Sequence, residues 1–522
     1  MTRTASDTRT QLSAPYAEAL LRFAETDWLR LNVPGHAADA RTSHGLAALV
    51  GPGPLQLDVP PLLDGLDLGP DSPLEQALEL AAQAWGARRT WFLTNGASQG
   101  NRIASLAAAP LGDTLVVQRS VHSSVIDGLV LSGLRAAFVR PSIDSDLAIA
   151  HGVTVEALAA TIAAHPGAAA AYVVTPSYFG AVADVAGLAR VAHAAGIPLI
   201  VDEAWGSHFG FHPELPANAL SQGADLVISS THKLGGSLTQ SAMLHLGEGL
   251  FADVLEPLVE RVFHLTQSTS ASALLLGSLD LARRALAAGR EAIGVSLAAA
   301  HRMRRAVTAI GRFQVVSDDF DRFPDVVATD PLRVAIDTRS GGISGHEARF
   351  QLMHEHQILV EVATDAAIVA VVGAGAHPDS ARFSRALHAL PTTVDPCAAR
   401  EPMRLPQPGP VRMTTREAFL APTRLVPAEQ AVGRVSADTL AAYPPGIPNV
   451  LPGEVITAEL VDFLQRTVAA PHGHVRGAAD PEVHTFRVVD NPLHPCRARL
   501  VDLVGSGRGL DADLGTRPGT RG

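Results

Sequence analysis

Between residues 72 and 250 the chain repeatedly alternates a short apolar run with an alanine-rich stretch long enough to be a helix. The runs Thr90–Leu93, Thr114–Val117, Ala169–Val174, Pro198–Val201 and Leu226–Ser229 are continuously apolar or nearly so, without the in-out alternation of a half-exposed strand. Runs too short for a helix and buried on both faces predict a mostly parallel sheet with helices packed on each side. The core is therefore expected to be α/β. Upstream, residues 15–70 are helical stretches broken at Pro34-Gly35, Gly51 to Pro54 and Pro60-Pro61, which reads as an arm behind a flexible leader over residues 1–14. Downstream, a long helical region over 271–310 leads into a second alternating unit. Its strands are expected at 332–337 and 368–372 and its helix at 345–356, giving a smaller α/β domain. Residues 391–410 read as a proline-rich connection, and 443–453 as a turn or loop too dense in proline and glycine for a helix or central strand. The expected division is leader and arm over 1–70, large domain over 71–310, small domain over 311–470, and a tail over 471–522 that is disordered from about residue 505.

Composition narrows the function. A hydrophobic share of 47% with 18% charged residues fits a globular enzyme, and no apolar run approaches the roughly 20 residues of a bilayer span. The polar start carries no secretory pattern, so a cytoplasmic address and no membrane partner are expected. A net charge of −11 without a basic cluster argues against nucleic acid. Cys397 and Cys496 show neither metal-ligand spacing nor a disulfide framework, and no metal is expected.

One count changes the picture. Of 41 basic residues, 40 are arginine and one, Lys233, is lysine. Arginine replaces lysine in most charged roles but not in imine chemistry, because a guanidinium stays protonated while an amine can lose its proton and attack a carbonyl. Uniqueness alone fits codon bias equally well, so context decides. The run ending at Val201 is followed by Asp202-Glu203-Ala204-Trp205, and the run ending at Ser229 by Ser230-Thr231-His232-Lys233. Two strands thus deliver an acid and an amine to the carboxyl edge of one sheet, where open α/β sheets bind ligands. Asp202 alone would read as a helix cap. Paired with Lys233 it matches what pyridoxal phosphate requires: an amine to hold the aldehyde and a carboxylate to keep the ring nitrogen protonated. The turn Thr94 to Asn101 opens a helix, so its N–H groups and Ser98 suit a phosphate, with Ser230 and His232 as further donors. His122, after another strand, is placed to stack over a ring.

These residues resemble the fold-type I family of bacterial ornithine, lysine and arginine decarboxylases, over about residues 30–470. The resemblance runs through Val33-Pro34-Gly35-His36, the Thr94 to Asn101 turn, His122 with Leu131-Ser132-Gly133, Thr175 to Gly180, the block from Val201 to His245, Ser268-Thr269-Ser270, and Tyr443 to Pro448 with Pro452-Gly453-Glu454. It implies a pyridoxal phosphate enzyme of fold type I, with an aspartate-aminotransferase-like large domain and a smaller C-terminal one. It also implies decarboxylation of lysine, ornithine or arginine, and a homodimer or dimer of dimers with composite sites. Carried over by position, Lys233 holds the cofactor, Asp202 partners the ring nitrogen and His122 stacks on the ring. Ala97, Ser98, Gln99, Ser230 and His232 belong around the phosphate, Ala204 touches the ring, Trp205 lies near its 3′-oxygen, and Glu454 meets the substrate's distal cation. The receiver-like N-terminal wing of the large members is not expected. Ala97 stands where the family usually carries a hydroxyl, and Ala37 and Ser123 replace familiar lysines, which puts cofactor affinity and substrate preference in question. The rival readings are a transaminase or lyase on the same scaffold and a non-catalytic cofactor-binding relative. A cofactor-dependent transcription regulator fits less well, since too little chain precedes the first match for a DNA-binding domain.

Overall fold

The computed structural model describes residues 11–41, 43–395, 403–443, 446–470 and 473–490. Seven strands form the central sheet: β1 (Arg89–Leu93), β2 (Thr114–Gln118), β3 (Arg135–Val139), β4 (Ala168–Val174), β5 (Leu199–Asp202), β6 (Leu226–Ser229) and β7 (Ala242–Leu246). Their spatial order is β1-β7-β6-β5-β4-β2-β3, parallel throughout except that β7 runs against both its neighbours. The five runs expected as strands are strands. β3 and β7 went unforeseen, β3 because it is an edge strand whose first residue is exposed and β7 because His245 interrupts its apolar character.

Continuous apolarity has a direct structural cause here. Leu115, Val117, Ile200, Leu226 and Ile228 point into one layer with Ile103 and Val125, while Val116, Leu199, Val201 and Val227 point into the opposite layer with Leu158 and Leu188. Alternate side chains of one strand enter different cores, so no position is left for a polar residue until the strand ends.

The arm is seated more firmly than a flexible leader. Ala14 is fully buried, and α1 (Pro15–Glu25) packs on α5 (Ala273–Ala288), whose Asp280 and Arg283 are both wholly inaccessible. Asp280 accepts from the N–H groups of Tyr16 (3.0 Å) and Ala17 (3.3 Å), an anion at the positive end of a helix. Arg283 pairs with Asp280 at 2.5 Å and donates to the carbonyls of Gln11 and Ser13. Residues 11–14 are thereby held, and residues 1–10 lie outside the described part. Arg283→Met would strand the Asp280 carboxylate in the interior, where burial already pushes its pKa up against the pull of Arg283. Unfolding stability in urea is expected to fall by ~3–5 kcal/mol. A loss under about 1 kcal/mol would mean the arm is dispensable.

The long helical region is two helices, α5 and α6 (Arg290–Ile310), separated at Gly289. Beyond them, Gln314–Val315 (β8), Arg333–Asp337 (β9), Val362–Ala363 (β10) and Ala367–Val371 (β11) form an entirely antiparallel sheet ordered β8-β9-β11-β10, covered by a helix over Gly345–His354. Residues 311–470 contain a second, separate core, built by Val426, Leu440, Val450, Ile456, Leu464 and their neighbours and extending to Val488. This unit carries β12 (Leu440–Tyr443) and β13 (Pro448–Val450), an edge strand that tolerates its proline, together with β14 (His474–Arg476). Ordered strands therefore reach into the expected tail, with Thr485–Val489 as the last. Both cysteines, and the stretch from residue 505, lie outside the described residues. Among the described residues no helix is long and apolar enough to cross a membrane.

Candidate active site

β5 and β6 are hydrogen-bonded neighbours, with Asp202 opposite Ile228, so the residues that follow them emerge side by side. Asp202, the last residue of β5, and Lys233, four residues past β6, line one cavity of about 590 Å³ at the carboxyl edge of the sheet. The start of α3 (Gly96–Ala108) faces the same cavity, with Ala97 and Ser98 on its wall. Gly96 has φ +71°, a conformation that swings the chain from β1 into α3 and that a side chain would strain. Ser230, His232, His122, Ala204 and Trp205 line it as well.

Asp202 is 3% exposed, and its position is fixed by its own neighbours. One oxygen accepts from the Ala204 N–H at 3.0 Å, the other from the Asn101 amide at 2.9 Å. Asn101 also donates to Ser124 Oγ (2.9 Å) and accepts from the Tyr172 hydroxyl (2.8 Å), which satisfies its amide on three sides. Ser124 Oγ lies 2.8 Å from His122 Nδ1, and the Ser124 N–H donates to the same nitrogen. With Ser124 Oγ accepting from Asn101 and donating onward, Nδ1 is an acceptor and the His122 proton belongs on Nε2. The surrounding protein mass, with Lys233 and Arg476, holds His122 below the ordinary imidazole pKa against the pull of Asp202. The next acid along, Glu203, points away from the cavity. Burial raises its pKa well above the usual carboxyl range, and one of its oxygens accepts from the Ala219 N–H.

Lys233 Nζ sits 3.8 Å from the centroid of the Trp205 ring, and the buried Arg333 guanidinium lies 4.1 Å from the same centroid. Burial lowers the Lys233 pKa to about 8. Asp202 and Glu361 oppose that shift and Arg333 adds to it. An amine so poised is available as a nucleophile near neutral pH. Arg333 is in turn held by Asp330, which also receives His208 Nε2 at 3.1 Å, and it donates to the Tyr178 carbonyl.

Two expected site residues lie elsewhere. Gln99 is buried behind the turn, with its side chain accepting from the Asn95 N–H and donating to Gln267, so it shapes the helix start without lining the cavity. Glu454 is also absent from the cavity wall, and both its oxygens are taken by Arg119. Asp202 is the one carboxylate among the described residues that line the cavity. Asn101 and Arg333 were not foreseen in any role. Asn101 sits three residues after Ser98, on the helix face that Ser98 shares, so its spacing held a usable signal. Arg333 comes from a distant strand and carried none.

The donor set suits an aldehyde-bearing phosphorylated pyridine. The helix start, Ser98 and Ser230 offer neutral donors. Among the described residues His232 keeps a buried Nδ1 without a hydrogen-bond partner, and Asp202 presents a fixed anion opposite the only lysine of the sequence. Ala97 contributes backbone alone.

Comparison with known proteins agrees with this geometry. The family model described as Orn/Lys/Arg decarboxylase, major domain, matches residues 14–377, and that described as Orn/Lys/Arg decarboxylase, C-terminal domain, matches 407–473. An arginine decarboxylase of Bacillus subtilis is 34% identical over 92% of this chain and 98% of its own length. That of Halalkalibacterium halodurans is likewise 34% identical, over the same shares. Among solved structures, the Francisella novicida lysine decarboxylase LdcF superimposes with a TM-score of 0.76 at 18% identity, over 92% of this chain and 82% of that one. Lysine decarboxylase A of Pseudomonas aeruginosa gives 0.76 at 20% identity, over 93% and 82%. At such identities the structural likeness bears on the fold alone.

Proposed function

Because this chain belongs to the Orn/Lys/Arg decarboxylase family, we propose that it is a pyridoxal-phosphate-dependent decarboxylase of a basic amino acid, with arginine as the preferred substrate. The observation that carries this reading is the delivery of Lys233 and Asp202 by adjacent strands into one cavity, facing the open end of a helix. The choice of arginine is supported by the relatives that share a third of its residues.

Lys233 is the residue that holds the cofactor, and the N–H groups at the start of α3, with Ser98, Ser230 and His232, hold its phosphate. When bound, the cofactor supplies an electron sink for the pair left behind as carbon dioxide departs. Asp202, braced by Asn101 and the Ala204 N–H, keeps a proton on the ring nitrogen. His122, Ala204 and Trp205 on the cavity wall would pack against the bound group and limit the space left to water. Lys233 Nζ, its pKa lowered to about 8 by burial, would return a proton to the substrate's α-carbon. The assembly we propose is a homodimer or a dimer of dimers. It is supported by the exposed Leu29, Leu31, Val33 and Leu49 of the arm, which a second copy of the chain would cover.

The test is a product-resolved assay of the cofactor-loaded protein with arginine, lysine and ornithine. Arginine is expected to yield carbon dioxide and agmatine in equal amounts, faster than the other two yield their amines. Release of a keto acid would replace this reading with transamination. No turnover at full cofactor occupancy would favour a non-catalytic binding protein.

A further inference from the structure

Glu454 and Arg119 form a buried pair that joins two separately packed parts of the molecule. Arg119 directly follows β2 of the central sheet, one residue before the cavity-lining Ser120 and three before His122. Glu454 belongs to the C-terminal unit, 335 residues later. Arg119 Nη1 and Nη2 meet the two Glu454 oxygens at 2.5 and 2.8 Å, a bidentate contact between side chains 5% and 4% exposed. The remaining capacity on both sides is used as well. Arg119 Nε donates to the Pro448 carbonyl at 3.0 Å and Nη2 lies 3.4 Å from that of Asn449, while the Leu451 N–H donates to Glu454 at 2.9 Å. The guanidinium also lies over the Phe138 ring, 4.5 Å from its centroid. Immediately before these contacts, Gly446 and Ile447 form part of the cavity wall.

We propose that Glu454 is a positioning residue: by pairing with Arg119 it clamps the Pro448–Glu454 turn to the end of β2 and so fixes Gly446 and Ile447 at the cavity. This deepens the decarboxylase reading and rests on it for the identity of the cavity, though not for the clamp itself. A carboxylate only 4% exposed, paired with a guanidinium and absent from the cavity wall is not placed to meet a substrate cation. A buried pair of this kind fails when either partner is removed, because the survivor remains charged in the interior, whereas removing both together relieves that penalty.

The experiment compares E454Q, E454M, R119M and the double variant R119M/E454M as cofactor-loaded proteins, with two readouts, additivity being judged on E454M, R119M and their combination. In amide hydrogen exchange, each single variant is expected to speed exchange between Gly446 and Leu451 by about 10-fold or more, and the double variant by less than either. In kinetics, E454Q is expected to lower kcat/KM by the same factor for arginine and for citrulline, its uncharged isostere, since the arginine-to-citrulline preference does not depend on Glu454. The proposal is overturned if E454Q leaves exchange unchanged, if the two single effects simply add in the double variant, or if E454Q erodes the preference for arginine. Should the protein turn over neither amino acid, the decarboxylase reading fails while the exchange result still decides the clamp.

Discussion

Lys233→Ala is expected to lower decarboxylation by at least ~10³-fold and to abolish the visible imine absorbance of the purified protein. The size of the effect follows from the absence of any substitute. The remaining 40 basic residues are arginines, whose guanidinium groups stay protonated and do not attack an aldehyde at neutral pH. Lys233→Arg, which keeps the charge, is therefore expected to be as inactive as the alanine variant. The environment adds to the loss. With its pKa lowered to about 8 by burial, Lys233 is largely unprotonated above that pH and still substantially so just below it, whereas an ordinary lysine is almost wholly charged there. Reduction with borohydride followed by peptide mapping gives an independent check, because a reduced cofactor label has one lysine to occupy. Normal turnover in the alanine variant, or a label mapped to another residue, would remove the basis for the proposed chemistry.

Asp202→Asn is expected to cost ~10²–10³-fold in kcat while leaving cofactor binding nearly intact. Asparagine preserves the size of the side chain and, through its carbonyl, one acceptor for either Asn101 or the Ala204 N–H. What it loses is the negative charge that keeps the ring nitrogen protonated, so the electron sink weakens while the anchoring contacts survive. Asn101→Ala separates position from charge: it removes the brace and leaves the carboxylate, so its loss of kcat should be smaller. Stopped-flow measurement of the chemical step alone is the suitable readout, since a slow product release would mask it. An unchanged chemical step in the asparagine variant would mean that Asp202 serves folding and not catalysis.

The central floor of this site was legible in the sequence because it is built from consecutive logic: an apolar strand, then the polar residue that enters the cavity. Asp202 and Lys233 follow runs so uniformly apolar that their burial, direction and edge of the sheet could all be read. The walls were less accessible. Asn101 meets Asp202, and Ser124 and Tyr172 meet Asn101, through contacts between different layers, and Arg333 arrives from β9, where nothing in the local pattern announces a contact with Trp205. Glu454 shows the opposite failure. Its position in a recognisable motif suggested a role at the substrate, but burial against Arg119 depends on a partner hundreds of residues away. The antiparallel pairing of the small sheet after α6 was not legible for a related reason. Strand runs and an intervening helix look alike whether the strands pair parallel or antiparallel, and only the pairing itself distinguishes them.

The ladder between β5 and β6 has a mechanical consequence. Acid and amine hang from two strands zipped together at Ile200, Val201 and Asp202, where the paired side chains are all buried, so their separation is stiff. The Gly446–Ile447 side belongs to a unit with its own interior, joined here through the Arg119–Glu454 pair, carbonyl contacts and Leu451, which is seated in the core of the large domain. The cavity wall opposite is tied to the sheet by side-chain contacts and the acid and amine by a backbone ladder, so a substitution on that wall should change the space around the two groups before it changes their spacing.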